Sequence, residues 1–217
     1  MIEYYIGLSG GIKSSLVITL FLMVSTMIIG LRVKRLKTTD VPGGITLVSI
    51  MFVEMINNML DGFFKKNKKI YVPYLMTIFM FLIFANTASL VGITTPLSNI
   101  SVALGFSILA FGSIQVAALI VKRPIKRTKD LLDPHPLFLP INLIGEMSTP
   151  FAMGIRLFGN LLSGSIIGLI VYGLTSWFGI IFGAFFLHPI FDVFFGVIQA
   201  YVYFMLFTIF LSMAVEE

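Results

Sequence analysis

Cysteine is absent from this 217-residue chain, which excludes disulfide bonds and thiolate metal sites. The two histidines, His135 and His188, are too far apart to form a ligand-spacing motif, so the sequence gives no sign of a metal or other cofactor. Charged residues are scarce, at 12% of the chain, against 58% hydrophobic residues and a mean hydropathy of +1.01. This balance is far from that of soluble domains and indicates a helical, polytopic integral membrane protein.

Five apolar stretches reach or approach the roughly 20 helical residues that cross the hydrocarbon core of a bilayer. They are residues 12–31, 71–95, 101–121, 138–174 and 178–214, and the last two are long enough to tilt or bend. Basic residues, rather than a small-residue cleavage pattern, follow the first stretch, which favours a retained helix over a signal peptide. We therefore predict an all-α protein that forms a single integral membrane domain over residues 1–217.

Residues 45–64 differ from these spans because polar side chains interrupt the apolar sequence. At helical pitch the polar residues fall on one stripe, and the apolar residues lie mainly on the other side. The polar set is Glu54, Asn57, Asn58 and Asp61, and the apolar set is Val48, Phe52, Met55, Met59 and Phe63. This pattern is typical of an amphipathic helix that lies in the membrane interface.

The distribution of Lys and Arg predicts the orientation of the chain. If residues 45–64 lie flat, 13 of the 15 basic residues fall on one face, in clusters at 32–37, 65–69 and 122–129. The other two are Lys13, on the opposite side, and Arg156, within a span. The positive-inside rule then places the N-terminus outside and the C-terminus in the cytoplasm. The clusters lack the aromatic residues of a nucleic-acid site, so we interpret them as orientation signals that also contact anionic lipids.

Arg156 lies in one of the most apolar parts of the chain, far from either end of its predicted helix. An arginine there costs roughly 3 kcal/mol on insertion scales, so its side chain must face protein or water. Either it forms a buried ion pair that fixes helix packing, or it belongs to an ion pathway. Thr149, Asn160 and Ser163 share its helical face, at offsets of 7, 4 and 7 residues. The next helix carries a second polar face, formed by His188, Asp192, Gln199 and Tyr203. Two such faces in adjacent helices favour the ion pathway.

The ionisable groups of these two helices differ in depth. His188 and Asp192 fall in the outer half of the last helix, whereas Glu146 lies roughly 15 Å to the cytoplasmic side of Arg156 at helical rise. Protonatable groups therefore stand on both sides of a fixed cation. Because a guanidinium stays protonated, Arg156 can interrupt a proton path without relaying the proton itself. It would also force a carboxyl group that moves past it into the ionised form.

Several motifs identify a family resemblance over most of the chain. They are Val41-Pro-Gly, Asn86, Thr95-Pro-Leu-Ser-Asn-Ile-Ser-Val-Ala-Leu, Pro150, Gly154-Ile-Arg-Leu-Phe-Gly-Asn160, Gln199-Ala-Tyr-Val-Tyr-Phe-Met and the final Leu-Ser-Met-Ala-Val-Glu-Glu. They resemble subunit a of the F-type ATP synthase membrane sector, in its bacterial form. The resemblance implies a stator in the bacterial cell membrane, whose partners are the c-ring subunits, the peripheral-stalk b subunits and the rest of the synthase. It also implies two offset proton half-channels separated by Arg156, with Asn160 and Gln199 as its polar companions.

Two positions depart from the commonest pattern of that family. Many relatives carry Glu nine residues after the arginine, where this chain has Ser165, and His seven residues before the glutamine, where it has Asp192. We therefore expect Asp192 to supply the carboxylate of the outer half-channel, with His188 one turn earlier as a relay. Glu146 is either the acid of the inner half-channel or a solvated acid on the cytoplasmic side. Thr149 either contributes to the polar face of Arg156 or bonds its own helix just before Pro150.

Two glycines flank the arginine. Gly154 and Gly159 are expected to let a helix of the neighbouring ring approach the Arg156 charge closely, because neither has a side chain to obstruct it.

Two alternatives belong to other functional classes. A secondary transporter, in which Arg156 would clamp an anionic substrate, predicts internal repeats or matched broken helices, and neither is evident in the sequence. A structural scaffold predicts no aligned polar faces. The chain has no glycine-rich phosphate loop followed by Lys-Ser/Thr, so we expect nucleotide chemistry only in partner subunits and no enzyme activity here. The sequence leaves open whether the translocated ion is H⁺ or Na⁺.

Overall fold

The structure is a computed structural model, and it describes residues 10–36, 42–64, 68–122, 139–182 and 189–215. These residues form six α-helices. The helices are α1 (Gly10–Arg35), α2 (Gly44–Leu60), α3 (Lys68–Thr87), α4 (Ile100–Lys122), α5 (Leu139–Phe182) and α6 (Phe195–Val215). Two 3₁₀ turns, Ala88–Val91 and Pro96–Ser98, lie between α3 and α4, and a π-helical turn, Pro189–Phe194, precedes α6. The described chain contains no strand, and the predicted all-α fold is confirmed.

Five of the helices are long and apolar enough to cross a membrane, and α2, with 17 residues, is a shorter apolar helix. The prediction of a multi-pass membrane protein with five spans and one shorter helix is therefore confirmed. Helix α5 has 44 residues and continues to Phe182, through residues 174–178, where the two last predicted spans meet. Weak helix formers in this stretch, Thr175, Ser176 and Gly179, do not end the helix. In lipid the backbone has no water to bond and keeps its internal hydrogen bonds.

The core of the bundle lies around α6, which packs against α3 and α4. Aromatic side chains fill this interface. Phe204 of α6 is fully buried, with its ring centroid 4.8 Å from that of Phe79 in α3. Phe207, also fully buried, packs edge-on against Tyr74 at 6.0 Å. Offset and tilted ring pairs of this kind add to the packing energy beyond the area that they bury.

Contacts at the two ends of the bundle show which helix ends lie together. At one end the hydroxyls of Ser14 and Thr94 lie 2.8 Å apart, so the start of α1 meets the turn before α4. At the other end the Ser212 hydroxyl donates to the Phe63 carbonyl at 2.6 Å, so the end of α6 meets the segment after α2. Both contacts agree with the alternation of helix ends that the five predicted crossings require. Which end faces the cytoplasm stays a prediction from the Lys and Arg distribution.

Helix α2 buries only part of its predicted apolar face. Phe52, Met59 and Phe63 pack against the core. Val48 and Met55, assigned to the same face, are 66% and 47% exposed. The fully buried residues of α2 are Ile56 and Leu60. Helical periodicity identifies the apolar half of a helix, but it does not say which part of that half meets protein and which part meets lipid.

Candidate functional site

Arg156 lies on the open side of α5. Met153 and Leu157 are 2% and 1% exposed and form the buried side of the helix here, whereas Arg156 is exposed. Its surroundings on that open side are apolar, since Ile155 is 57% exposed and Leu162 is 43% exposed. Within the described part of the chain, no hydrogen bond or ion pair involves Arg156. The guanidinium therefore lies on the outside of the chain, on an apolar surface of the kind that contacts lipid or another helix.

Gly154 permits the close packing that holds this part of α5. A Cβ atom added to Gly154 would overlap the Ser107 hydroxyl of α4 and would come within 2.8 Å of the Ala103 carbonyl oxygen. Gly154 therefore accommodates α4 of the same chain, and the expectation that it serves a ring helix is wrong. A Cβ added to Gly159 would meet no atom within 4 Å, so the role predicted for that glycine stays a prediction.

Asn160 and Gln199 are brought together, as the two polar faces predict. The Asn160 Nδ2 donates to the Gln199 Oε1 at 3.1 Å, across the contact between α5 and α6. Gln199 is 6% exposed, whereas Asn160, one turn after Arg156, is exposed. This hydrogen bond therefore lies at the boundary between the buried core and the open surface that carries the arginine.

The remaining predicted site residues are not brought into this group by the described structure. Ser165 is exposed, and its hydroxyl donates to the Leu161 carbonyl of its own helix at 2.9 Å. The backbones of Glu146 and Thr149 lie in α5, but their side chains, like that of Asp192, lie outside the described part. His188 lies outside the described residues altogether. The roles of these residues therefore stay predictions.

The π-helical turn Pro189–Phe194 changes which residues of the last predicted span share a face. Asp192, Gln199 and Tyr203 were placed on one face by assuming a constant step of about 100° per residue. In a π-helical turn the backbone bonds run from i to i+5, so that step does not hold around Asp192. The Tyr203 side chain bonds a different helix, because its hydroxyl donates to the Phe106 carbonyl of α4 at 3.1 Å. Among the described side chains of the predicted face, Gln199 bonds α5 and Tyr203 bonds α4.

Sequence reasoning gave no structural role to Asn86 of α3. This residue is 2% exposed, and its Nδ2 donates to the Gly196 carbonyl at 2.9 Å, directly after the π-helical turn. An amide within an apolar span is itself a signal, since polar groups inside a membrane need partners. Its partner could not be identified from sequence because a main-chain carbonyl leaves no trace in the residue pattern. No group of three metal-ligating side chains occurs within the described ranges.

Comparison with known proteins places the chain in a family. The family model described as ATP synthase A chain matches residues 15–212, which is most of the chain. The chain belongs to the ATP synthase A chain family. "ATP synthase subunit a 2" of Picosynechococcus sp. is 30% identical over 66% of this chain and 60% of its own length. "ATP synthase subunit a" of Psychromonas ingrahamii is 26% identical over 94% of this chain and 84% of its own length.

Proposed function

We propose that this chain is the proton-translocating subunit a of a bacterial rotary ATP synthase. It would act as the stator that faces the c-ring, with peripheral-stalk b subunits and the rest of the synthase as further partners. Two offset half-channels would lead protons to and from a ring carboxyl group, and Arg156 would separate them. Membership of the ATP synthase A chain family supports this function over a secondary transporter.

The observation that carries the proposal is the outward position of Arg156. A permanent cation on the apolar side of a spanning helix is costly unless an anion or water meets it. Within the described residues Arg156 has no acidic partner, and the surface around it is open. A carboxylate carried on a second protein, moving past this surface, would satisfy the charge. The Coulomb attraction would then favour release of the proton from that carboxyl group.

The hydrogen-bonded pair Asn160–Gln199 supports the same site. Its 3.1 Å bond lies one turn from Arg156 and joins the two helices proposed to form the proton pathways. On the outer side of the arginine we propose Asp192 as the proton acceptor, with His188 as a relay. On the inner side we propose Glu146, ten residues before Arg156 in the same helix and thus about 15 Å away.

Coupled pumping in vesicles that contain the whole complex tests the role of Arg156. We expect Arg156→Ala to abolish ATP-driven pumping, because nothing would separate the two half-channels. Arg32→Ala is the matched control: it also removes an arginine that has no hydrogen bond or ion pair among the described residues, but Arg32 lies in the last turn of α1. Retained coupled pumping in Arg156→Ala would overturn the mechanism. A parallel Na⁺ titration determines whether the ion is H⁺ or Na⁺.

The outer half-channel has a separate test. Asp192→Asn keeps the size of the side chain but removes its ability to accept a proton at neutral pH. We expect passive proton conduction through the membrane sector to fall strongly in this variant, while the complex still assembles. Conduction equal to that of the unmodified complex would rule out Asp192 as the outer proton acceptor without affecting the role proposed for Arg156.

A further inference from the structure

Asn86 and Gly196 are in close contact, and two independent features support this contact: a hydrogen bond and the lack of a side chain at position 196. The buried Asn86 amide donates to the Gly196 carbonyl at 2.9 Å, between helices that are 110 residues apart in sequence. A Cβ atom added to Gly196 would come within 3.0 Å of the Asn86 Cβ and 3.7 Å of its carbonyl oxygen. The polar bond thus needs an amide at position 86, and the close approach needs a glycine at position 196.

This contact lies at the junction of two backbone geometries. The π-helical turn ends at Phe194, α6 begins at Phe195, and Gly196 is its second residue. Asp192 lies inside the turn, and Gln199 follows Gly196 by three residues. Loss of the turn, with this segment returning to α-helical bonding, would rotate α6 against the chain before the turn by about one residue, or about 100°. The presence of the turn therefore affects whether Gln199 meets Asn160.

We propose that Asn86 is a positioning residue, which holds the junction after the π-helical turn and so fixes the rotation at which Gln199 meets Asn160. The proposal rests on the proton-translocating function proposed above. If α6 rotated away from Asn86, both the Asn86 amide and the Gly196 carbonyl would lose their hydrogen-bond partner. Because lipid offers no water to replace that partner, such a rotation is disfavoured. Asn86 donates without carrying a charge, and it therefore restrains α6 without adding a second ion to the pathway.

The first test compares two variants in the whole complex, reconstituted in vesicles. Asn86→Leu removes the amide and keeps a similar volume. Ser212→Ala is the matched control, because it also removes one side-chain bond between α6 and a main-chain carbonyl, 2.6 Å from Ser212, but at the far end of the helix. We expect Asn86→Leu to lower ATP-driven pumping by about tenfold to a hundredfold, as a misplaced reacting group does. Similar pumping in the two variants, at similar amounts of assembled complex, would overturn the proposal.

The second test asks whether Asn86 acts through the Asn160–Gln199 contact. If it does, the double variant Asn86→Leu/Asn160→Ala should pump no worse than the weaker of the two single variants, because both changes break the same arrangement. A purely structural role predicts instead that the two fold-losses multiply, and that result would refute the positioning role.

Gly196→Ala tests the same contact if the complex that carries Asn86→Leu does not assemble. It keeps the amide but forces the two helices apart by a few tenths of an ångström. We expect pumping below that of Ser212→Ala, and pumping equal to that control would overturn the proposal. Arg156→Ala is measured in the same series. If it retains coupled pumping, the proposed function fails; if it loses pumping while Asn86→Leu and Gly196→Ala match the control, only the positioning role fails.

Discussion

Helices α5 and α6 follow each other in the chain and are both strongly apolar, yet they are buried to very different extents. Helix α6 has buried residues along its whole length: Gly196, Gln199, Ala200, Tyr203, Phe204, Phe207, Thr208, Leu211, Ala214 and Val215. Among the described side chains of α5, the buried residues are Pro150, Met153, Gly154 and Leu157. Hydropathy does not distinguish the two helices, because lipid tails and protein side chains are equally apolar.

The polar groups of the two helices differ in the same way. In α6, Thr208 bonds the Phe204 carbonyl of its own helix, Tyr203 bonds α4 and Gln199 bonds α5. In α5, Arg156 is exposed on the apolar surface. Helix α6 thus uses polar side chains such as Gln199 and Tyr203 in bonds within the chain, whereas α5 exposes Arg156 on an open apolar surface.

Removing a large core side chain from α6 should produce the largest loss of stability. Phe204→Ala leaves a cavity against Phe79, and we expect the free energy of unfolding to fall by about 3 kcal/mol. Leu162→Ala, on the exposed side of α5, should change it by less than about 0.5 kcal/mol. Denaturant titration of the purified chain in detergent measures both. Equal losses would contradict the difference in burial between the two helices.

Adding a methyl group where α5 meets α4 should have an intermediate effect. Gly154→Ala places a Cβ atom against Ser107 and the Ala103 carbonyl, so we expect a loss of about 2 kcal/mol from overpacking. Gly159→Ala has open space and should leave the stability of the chain unchanged.

The Ser107→Ala/Gly154→Ala double variant identifies the cause of that loss. It should recover only part of the stability, because the Ala103 carbonyl remains 2.8 Å from the new methyl group. A neutral Gly154→Ala variant in the same titration would show that α4 and α5 are not in close contact here.

The bond between the two helices should have the smallest effect on stability. Interhelical side-chain hydrogen bonds in membranes average about 0.6 kcal/mol, so a double-mutant cycle with Asn160→Ala and Gln199→Leu should give a coupling energy near that value. Pumping by the whole complex should nevertheless fall strongly in either single variant, if this bond belongs to the proton pathway. A large coupling energy with unchanged pumping would assign Asn160 to the scaffold instead.

Much of the fold follows from the sequence because hydropathy and helix length are local properties. The lengths of the apolar stretches predict the five spans and the shorter helix. The position of Arg156 within α5 follows from its place in the apolar stretch that forms this helix. The polar faces of the last two helices are both visible in the sequence, and Asn160 and Gln199, one from each face, form a hydrogen bond. Helix α5 continues to Phe182 through Thr175, Ser176 and Gly179, although these are weak helix formers on the propensity scale.

The sequence by itself determined which segments are apolar enough to enter the membrane, which polar residues enter with them, and that Arg156 must face protein or water. These follow from the cost of placing charge and unpaired backbone groups in hydrocarbon. Only the tertiary structure decided that Gly154 accommodates α4, that Val48 and Met55 are exposed, and that the buried Asn86 bonds the Gly196 carbonyl after a π-helical turn. These depend on which apolar surfaces pack together and on main-chain atoms, and side-chain chemistry along the sequence encodes neither.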